Sequence, residues 1–362
     1  MLVAAAALLA AAATLASASA APTAAGRPAA FAVHRLVADR GLAAARHDPE
    51  LVNGWGLAAS ATGPWWVANE ARSSSTLYAA DGLKQALTVE VPGGPTGVVF
   101  NGGGGFVVRG GGRAAPAQFL YACEDGRIRG WAPSVPHGWS TEAEIALDAT
   151  ASAAVFRGLA LASLPDGSRR LYATDFHNGR VLVFDARWRR VVSRGAFVDR
   201  SIPAWYAPSG IAVLGGRLFV TYVWRAPVNG NDAPTGGYVD EYDLEGRLVS
   251  RVGETKELDE PWGLALSPEG FGRLGGDLLV ANFGSGHINV YARRGHGWSL
   301  RGQLPGRGGR PLSVPGVWGI AFGTGGMSGP RTTLFFAAGP HRWHGASEVD
   351  VHGVLGAIVP VR

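Results

Sequence analysis

The side chains best suited to chemistry form two sets that recur along the chain. One set stands directly before six glycines: Trp55, Thr96, Arg157, Ser209, Trp262 and Trp318. The other set ends the second apolar run after each glycine: Asn69, Glu124, Asp175, Tyr222, Asn282 and Ala338. Carboxylate and amide oxygens suit hard cations such as Ca²⁺ and Mg²⁺, whereas indoles and a guanidinium suit a sugar or an aromatic acid. Either chemistry requires a fold that gathers the two sets.

The spacing of the six glycines predicts such a fold. They are Gly56, Gly97, Gly158, Gly210, Gly263 and Gly319, separated by 41, 61, 52, 53 and 56 residues by subtraction. A period of about 40–55 residues built only from short strands is typical of propeller blades. We therefore predict an all-β fold, a six-bladed β-propeller with four-stranded antiparallel blades. Antiparallel pairing would place both sets of side chains at one mouth of the central channel.

The last repeat contains only three clear strands, at 319–322, 334–338 and 354–359. An open sheet would expose its edge, so we expect the apolar segment 31–37 to supply the fourth strand and close the ring. The predicted propeller domain then covers residues 31–362. Residues 21–30, which combine Ala and Pro, are expected to form a flexible segment.

Residues 1–20 are uncharged and end in Ala18-Ser19-Ala20, a pattern that predicts a signal peptide. We therefore expect export to the periplasm or the extracellular space, with no membrane anchor after cleavage. The chain has 33 Lys and Arg against 28 Asp and Glu, and its basic residues are scattered, so no nucleic-acid partner is expected. Cys123 is the single cysteine, which excludes an internal disulfide. A monomer is expected.

Several segments resemble one family when they are taken together: 48–56 (DPELVNGWG), 95–101 (PTGVVFN), 173–180 (ATDFHNGR), 206–210 (YAPSG), 237–240 (GYVD), 261–265 (PWGLA) and 281–284 (ANFG). They are similar to bacterial exported propeller proteins of unassigned function, some of which carry a C-terminal sorting anchor. This sequence ends without an apolar tail, so the resemblance implies a released product. The blade pattern is more distantly similar to NHL-repeat and gluconolactonase-like six-bladed propellers. The second of these implies a divalent cation in the channel.

Binding and catalysis remain open as interpretations of the two sets. A small-molecule or carbohydrate ligand would contact Trp55, Arg157, Tyr222, Trp262 and Trp318. One divalent cation, Ca²⁺ or Mg²⁺, is the only cofactor candidate, with Asn69, Glu124, Asp175 and Asn282 as its ligands. The catalytic candidates are Asp175, His177 and Glu124. His177 would act as a general base oriented by Asp175. Alternatively, Glu124 and Asp175 would act as the general acid and the general base between them.

A purely structural interpretation competes with both. In it, the indoles fill the channel, while Asn and Asp side chains cap hairpins by bonding backbone N–H groups. The favoured function is recognition of a small polar or carbohydrate-like ligand at the channel mouth. The alternatives are a metal-dependent, lactonase-like hydrolase or a lyase at the same place, and a protein-interaction scaffold that uses the broad face of the disc.

Overall fold

The computed structural model describes residues 30–191, 193–225, 236–340, 342–344, 347–349 and 351–361. The predicted signal peptide and nearly all of the predicted flexible segment lie outside these residues, so both stay predictions. Across the described ranges, no helix is long and apolar enough to cross a membrane. Short 3₁₀ helices at Glu70–Arg72, Thr150–Ser152 and Arg307–Gly309 are the helical elements of the described chain.

Strands account for the architecture. The described chain begins with β1 (Ala30–Ala38) and the two-residue β2 (Arg46–His47). Blade 1 contains β3 (Gly54–Ala59), β4 (Trp65–Asn69), β5 (Ser74–Tyr78) and β6 (Lys84–Glu90). Blade 2 contains β7 (Pro95–Phe100), then the separate hairpin of β8 (Val107–Gly110) and β9 (Arg113–Pro116), then β10 (Phe119–Cys123), β11 (Arg127–Trp131) and β12 (Glu144–Asp148).

The next three blades repeat this four-stranded order. Blade 3 contains β13 (Phe156–Ser163), β14 (Arg169–Asp175), β15 (Arg180–Asp185) and β16 (Arg190–Val191). Blade 4 contains β17 (Tyr206–Leu214), β18 (Arg217–Trp224), β19 (Tyr238–Tyr242) and β20 (Leu248–Gly253). Blade 5 contains β21 (Pro261–Leu266), β22 (Leu278–Asn282), β23 (Ile288–Arg294) and β24 (Gly297–Gln303).

Blade 6 closes the ring as predicted. It contains β25 (Val317–Phe322) and β26 (Leu334–Ala338), then the hairpin of β27 (Arg342–His344) and β28 (Ser347–Val349), and β29 (Val354–Val361). β1 pairs antiparallel with β29, so the beginning and the end of the chain share one sheet. The prediction of an all-β, six-bladed propeller closed by an N-terminal strand is confirmed.

The hydrophobic core is divided into six clusters, one at each boundary between adjacent blades. The boundary between blades 1 and 6, for example, packs Trp65 and Val67 against Phe335 and Leu355. Each sheet is therefore covered on both faces, and its central strands are apolar without alternation, as in Leu278–Ala281. Cys123 belongs to one of these clusters, and burial raises the pKa of its thiol to about 12.

The recurring glycines allow the innermost strands to approach closely. A Cβ added to Gly56 would lie 2.6 Å from the carbonyl oxygen of Thr96, in the first strand of the next blade. Gly319 would meet the carbonyl oxygen of Trp55 in the same way, at 2.5 Å, where the ring closes. The repeat that reveals the blades in the sequence is thus a steric requirement of their contact around the channel.

Candidate functional site

The mouth of the channel, where the inner strands begin, brings together three indoles from different blades. Trp55 stacks on Trp318, with ring centroids 3.7 Å apart and an angle of 17° between the planes. Trp262 meets both rings edge-on, at centroid distances of 5.9 Å from Trp55 and 6.3 Å from Trp318. We call this group, with Arg157 and Glu124, the mouth cluster.

Arg157 joins the indoles to the acidic part of the mouth cluster. Its guanidinium carbon lies 5.8 Å from the centroid of Trp55 and 3.8 Å from that of Phe176. Its Nε lies 3.7 Å from Oε1 of Glu124, which is an ion pair but too long for a hydrogen bond. The two side chains are 26% and 34% exposed, respectively, so the pair is only partly screened by solvent.

Burial dominates the electrostatics of this pair. It raises the pKa of Glu124, an effect that Arg157 opposes and the nearby Glu70 carboxylate reinforces. Burial also lowers the pKa of Arg157, while Glu124 and Glu260 act in the opposite direction. One partly buried cation is therefore surrounded by aromatic faces and carboxylates.

Three N–H donors of the mouth cluster are buried and have no acceptor within the described part of the chain. They are Nε1 of Trp55, Nε1 of Trp262 and Nε of Arg157. A buried donor without a partner is costly, and nearly all such groups in folded proteins bond to protein, water or ligand. Within the described chain, these three donors are therefore left without acceptor oxygens.

Four further residues complete the mouth and were missed by the sequence analysis. Phe283 stacks on Trp318 with centroids 3.8 Å apart, and Phe176 lies against Arg157. The indole N–H of Trp318 donates to Oδ1 of Asn53 (3.1 Å), whose Nδ2 donates to Oε2 of Glu70 (2.7 Å). Glu70, Phe176 and Phe283 directly follow Asn69, Asp175 and Asn282, so comparison of the repeats one residue further along would have found them.

The proposed metal ligands do not occupy equivalent positions. Asn69, Asp175 and Asn282 pair with Gly54, Phe156 and Pro261 at the start of their neighbouring inner strands. In blade 2 the equivalent residue, paired with Pro95, is Cys123 and not Glu124. Successive residues of a strand point to opposite faces. This offset by one residue leaves Glu124 at the mouth and the other three side chains inside their blades.

The contacts of those three side chains are local. Asn69 Nδ2 donates to the hydroxyls of Ser74 (3.2 Å) and Thr76 (2.9 Å). Asn282 Oδ1 accepts from the backbone N–H of Asp259 (3.0 Å). Asp175 accepts from Asn178 Nδ2 (2.8 Å) and Arg180 Nε (3.0 Å). The contacts of Asp175 and Asn282 fit the hairpin-capping interpretation, whereas Oδ1 of Asn69, the atom of that amide that could ligate a cation, is buried without a partner in the described chain.

No group of three or more His, Cys, Asp or Glu side chains is arranged to hold a metal ion within the described residues. The predicted Ca²⁺ or Mg²⁺ set contains only two such residues, Glu124 and Asp175, beside its two amides, and we derive no chemistry through a cation. The general expectation of a divalent cation stays a prediction.

Two other candidates lie away from the mouth cluster. His177 is exposed, and the contacts of the Asp175 carboxylate go to Asn178 and Arg180, so the described geometry does not form the predicted base and orienting carboxylate. The Tyr222 hydroxyl bonds to the Tyr242 hydroxyl (2.7 Å) in the apolar boundary between blades 3 and 4. From the first set, Thr96 bonds through its hydroxyl to the carbonyls of Ala122 and Phe156, and Ser209 is buried; both support the ring.

Solved structures with the same fold include several propellers. The apo-form of the soluble aldose sugar dehydrogenase from Escherichia coli has a TM-score of 0.53 and 12% identity, over 91% of this chain and 100% of that one. A glucose dehydrogenase has a TM-score of 0.53 and 14% identity, over 90% and 99%. A protein of unknown function from Bacteroides thetaiotaomicron has a TM-score of 0.53 and 11% identity, over 91% and 76%. At these identities the likeness concerns the propeller fold alone.

Comparison of sequences identifies viral relatives, while no family model matches the chain. "Uncharacterized protein L690" of Acanthamoeba polyphaga mimivirus is 30% identical over 308 residues, 81% of this chain and 79% of the relative. "Uncharacterized protein R648" of the same virus is 31% identical over 345 residues, 90% of this chain and 79% of the relative. The link to bacterial exported proteins with a sorting anchor stays a prediction. The chain belongs to the protein family that includes these two mimivirus proteins.

Proposed function

We propose that the protein binds a small, hydroxylated, carbohydrate-like ligand at the mouth cluster. The observation that carries this proposal is the set of three buried N–H donors without an acceptor in the described chain, on Trp55, Trp262 and Arg157. A ligand with several acceptor oxygens would satisfy donors that are costly to leave unpaired. The carboxylates of Glu124 and Glu70 would accept hydrogen bonds from its hydroxyl groups.

The aromatic rings narrow the class of ligand. Both faces of Trp318 are covered, by Trp55 on one side and Phe283 on the other. The rings therefore stack on one another and not on a ligand. Polar contacts then contribute more to ligand recognition than stacking on an exposed indole would. A sugar acid fits this arrangement best, because its carboxylate can pair with Arg157 while its hydroxyl groups meet the indole N–H groups and Glu124.

Binding can be tested with D-glucuronate and D-glucose, by calorimetry and by quenching of tryptophan fluorescence. We expect D-glucuronate to bind more tightly than D-glucose. Arg157→Gln should weaken D-glucuronate binding by about tenfold, the effect of losing one charge-assisted hydrogen bond. Arg180→Gln is the matched control, since Arg180 belongs to the same blade but pairs with Asp175 away from the mouth cluster. Equal losses in the two variants, or no binding of either sugar, would contradict the proposal.

Removal of divalent cations separates this function from metal-dependent hydrolysis. Because Asp175 and Asn282 of the predicted ligand set are held by contacts inside their own blades, we expect a chelator to leave both the melting temperature and D-glucuronate binding unchanged. A fall in melting temperature together with one equivalent of Ca²⁺ or Mg²⁺ in the purified protein would favour the hydrolytic alternative.

A further inference from the structure

A second cleft lies at the seam of the ring, beside blade 6 and away from the mouth cluster. It has a volume of about 770 Å³ and lies between β1, the segment that follows β1 and the turn before β25. Apolar side chains form most of its wall: Val33, Leu42, Ala44, Val314, Phe336 and Val354. The volume falls within the usual range of sites for small organic ligands.

Three polar side chains line this seam cleft: Arg35, His352 and Ser313. Arg35 is exposed and is the one permanently charged residue among the described lining residues. No described residue forms an ion pair or a hydrogen bond with its guanidinium. In β1, the residues that precede Arg35 pair regularly with β29, and the register shifts between Arg35 and Val37. Such irregularities turn a side chain away from the regular ladder direction.

The second polar side chain, His352, is held in place on several sides. Its Nδ1 lies 2.7 Å from Oδ2 of Asp39, and because a carboxylate accepts hydrogen bonds, this contact places a proton on Nδ1. Its backbone N–H donates to Pro340, and its carbonyl accepts from Asn53. Gly41 lies against the imidazole where any Cβ would overlap the ring. The orientation of the imidazole is thus fixed by the protein itself, and no described residue forms a hydrogen bond with its Nε2.

We propose that the seam cleft binds an amphiphilic organic anion, with its apolar body against the apolar wall and its carboxylate against Arg35. Burial of hydrocarbon against this wall is favourable, while the Arg35 guanidinium, which has no partner among the described residues, selects a negative head group. In the tautomer set by Asp39, Nε2 of His352 carries no proton, so it would accept a hydrogen bond from a hydroxyl group of the ligand or from water and would not bind the carboxylate.

Octanoate and octan-1-ol, titrated into the full chain by calorimetry, test this proposal because they share a hydrocarbon body and differ in head-group charge. We expect octanoate to bind with one-to-one stoichiometry and about tenfold more tightly than octan-1-ol. Arg35→Gln should reduce octanoate binding to the level of the alcohol. Arg46→Gln is the matched control, since Arg46 is an exposed arginine nearby that pairs with Asp81 outside the cleft.

The location of binding is tested by Ala44→Phe, which fills the cleft and should abolish binding of both compounds. If that variant does not fold, Arg35→Gln still decides the question, because an exposed side chain is replaced without change of the core. Arg157→Gln should leave octanoate binding unchanged, which separates this cleft from the mouth cluster. Equal affinity for octanoate and octan-1-ol, or octanoate binding that survives both Arg35→Gln and Ala44→Phe, would overturn the proposal.

Discussion

At the scale of single residues, the mouth cluster depends on which of two neighbouring positions faces the channel axis. Asp175 is fully buried and bonds within its own hairpin, whereas Phe176, the next residue, lies against Arg157. The same alternation separates Asn282 from Phe283. The residue types alone favour Asp175 and Asn282 as ligands. Only strand register shows that their polar atoms are used by the fold.

The buried carboxylate of Asp240 predicts a pH-dependent stability. It is fully buried between the Arg251 guanidinium and the Tyr242 hydroxyl (3.1 Å), and burial raises its pKa to about 6. In the unfolded chain, the pKa of the Asp240 carboxyl would lie near its ordinary value of 3.8. Its stabilising contribution is therefore fully present below pH 3.8 and is lost as the pH rises through about 6.

This sign can be measured by comparing the native protein with Asp240→Asn, which cannot ionise at this position. The free energy of unfolding of the native protein, minus that of the variant, should increase by about 1 kcal/mol as the pH falls from 6 to 5. Chemical denaturation at several pH values gives this difference. Other titrating groups are common to both chains and cancel. A difference that is constant between pH 7 and pH 5 would contradict the raised pKa.

At the scale of elements, each blade relies on the contact between its inner strand and that of the next blade. The register shifts at the glycine in most blades, as between Phe156 and Gly158 or between Pro208 and Ile211. The backbone N–H of Gly158 then donates to the Thr174 hydroxyl (2.7 Å), and the backbone N–H of Gly210 donates to the Thr221 hydroxyl (2.8 Å). A bulge, a glycine and a threonine thus form a recurring device that packs adjacent blades.

Gly210→Ala tests this device. The added methyl group would overlap the Trp262 carbonyl oxygen of the next blade, so we expect a loss of at least about 2 kcal/mol in the free energy of unfolding. Gly104→Ala is the control, because a Cβ there would meet nothing within 4 Å. We expect the control to change stability by less than about 1 kcal/mol. Similar unfolding midpoints for the two variants in urea would show that the close approach is not required.

At the scale of the whole molecule, closure of the ring joins residues from the two ends of the chain. β1 buries Phe31, Val37 and Ala38, and it covers the edge of β29 that would otherwise be open to other chains. Phe31 also lies against Phe271 of blade 5, with centroids 4.6 Å apart. One short strand therefore stabilises both the last blade and its boundary with the blade before.

A chain that begins at residue 39 should therefore lose cooperative unfolding and form aggregates through β29. A chain that begins at residue 30 is the matched control, because it keeps every strand described here, and we expect it to unfold in one cooperative transition. Thermal unfolding followed by circular dichroism, with light scattering to detect aggregates, distinguishes the two. A cooperative, monomeric chain without β1 would show that closure is not needed for folding.

The architecture could be predicted from the sequence because its determinants are local and repeated. Six glycines at similar spacing and paired apolar runs indicate blades, and a last repeat that lacks one strand indicates closure by 31–37. The meeting of Trp55, Trp262 and Trp318 followed from the same reasoning, since equivalent positions of radially arranged sheets lie around one axis. These inferences require only the number of sheets and the order of their strands.

The side chains that remain free for a ligand were decided by the tertiary structure. Asp175 and Asn282 are bonded within their hairpins, Asn69 donates to Ser74 and Thr76, Tyr222 is bonded to Tyr242, and Glu124 stands one position beyond its apparent equivalents. The seam cleft likewise combines Arg35 with His352, two residues that the sequence separates by some three hundred positions. The physical reason is that hydrogen-bond partners and strand register depend on contacts between distant segments, whereas the blade repeat is a local pattern that each segment of the sequence shows separately.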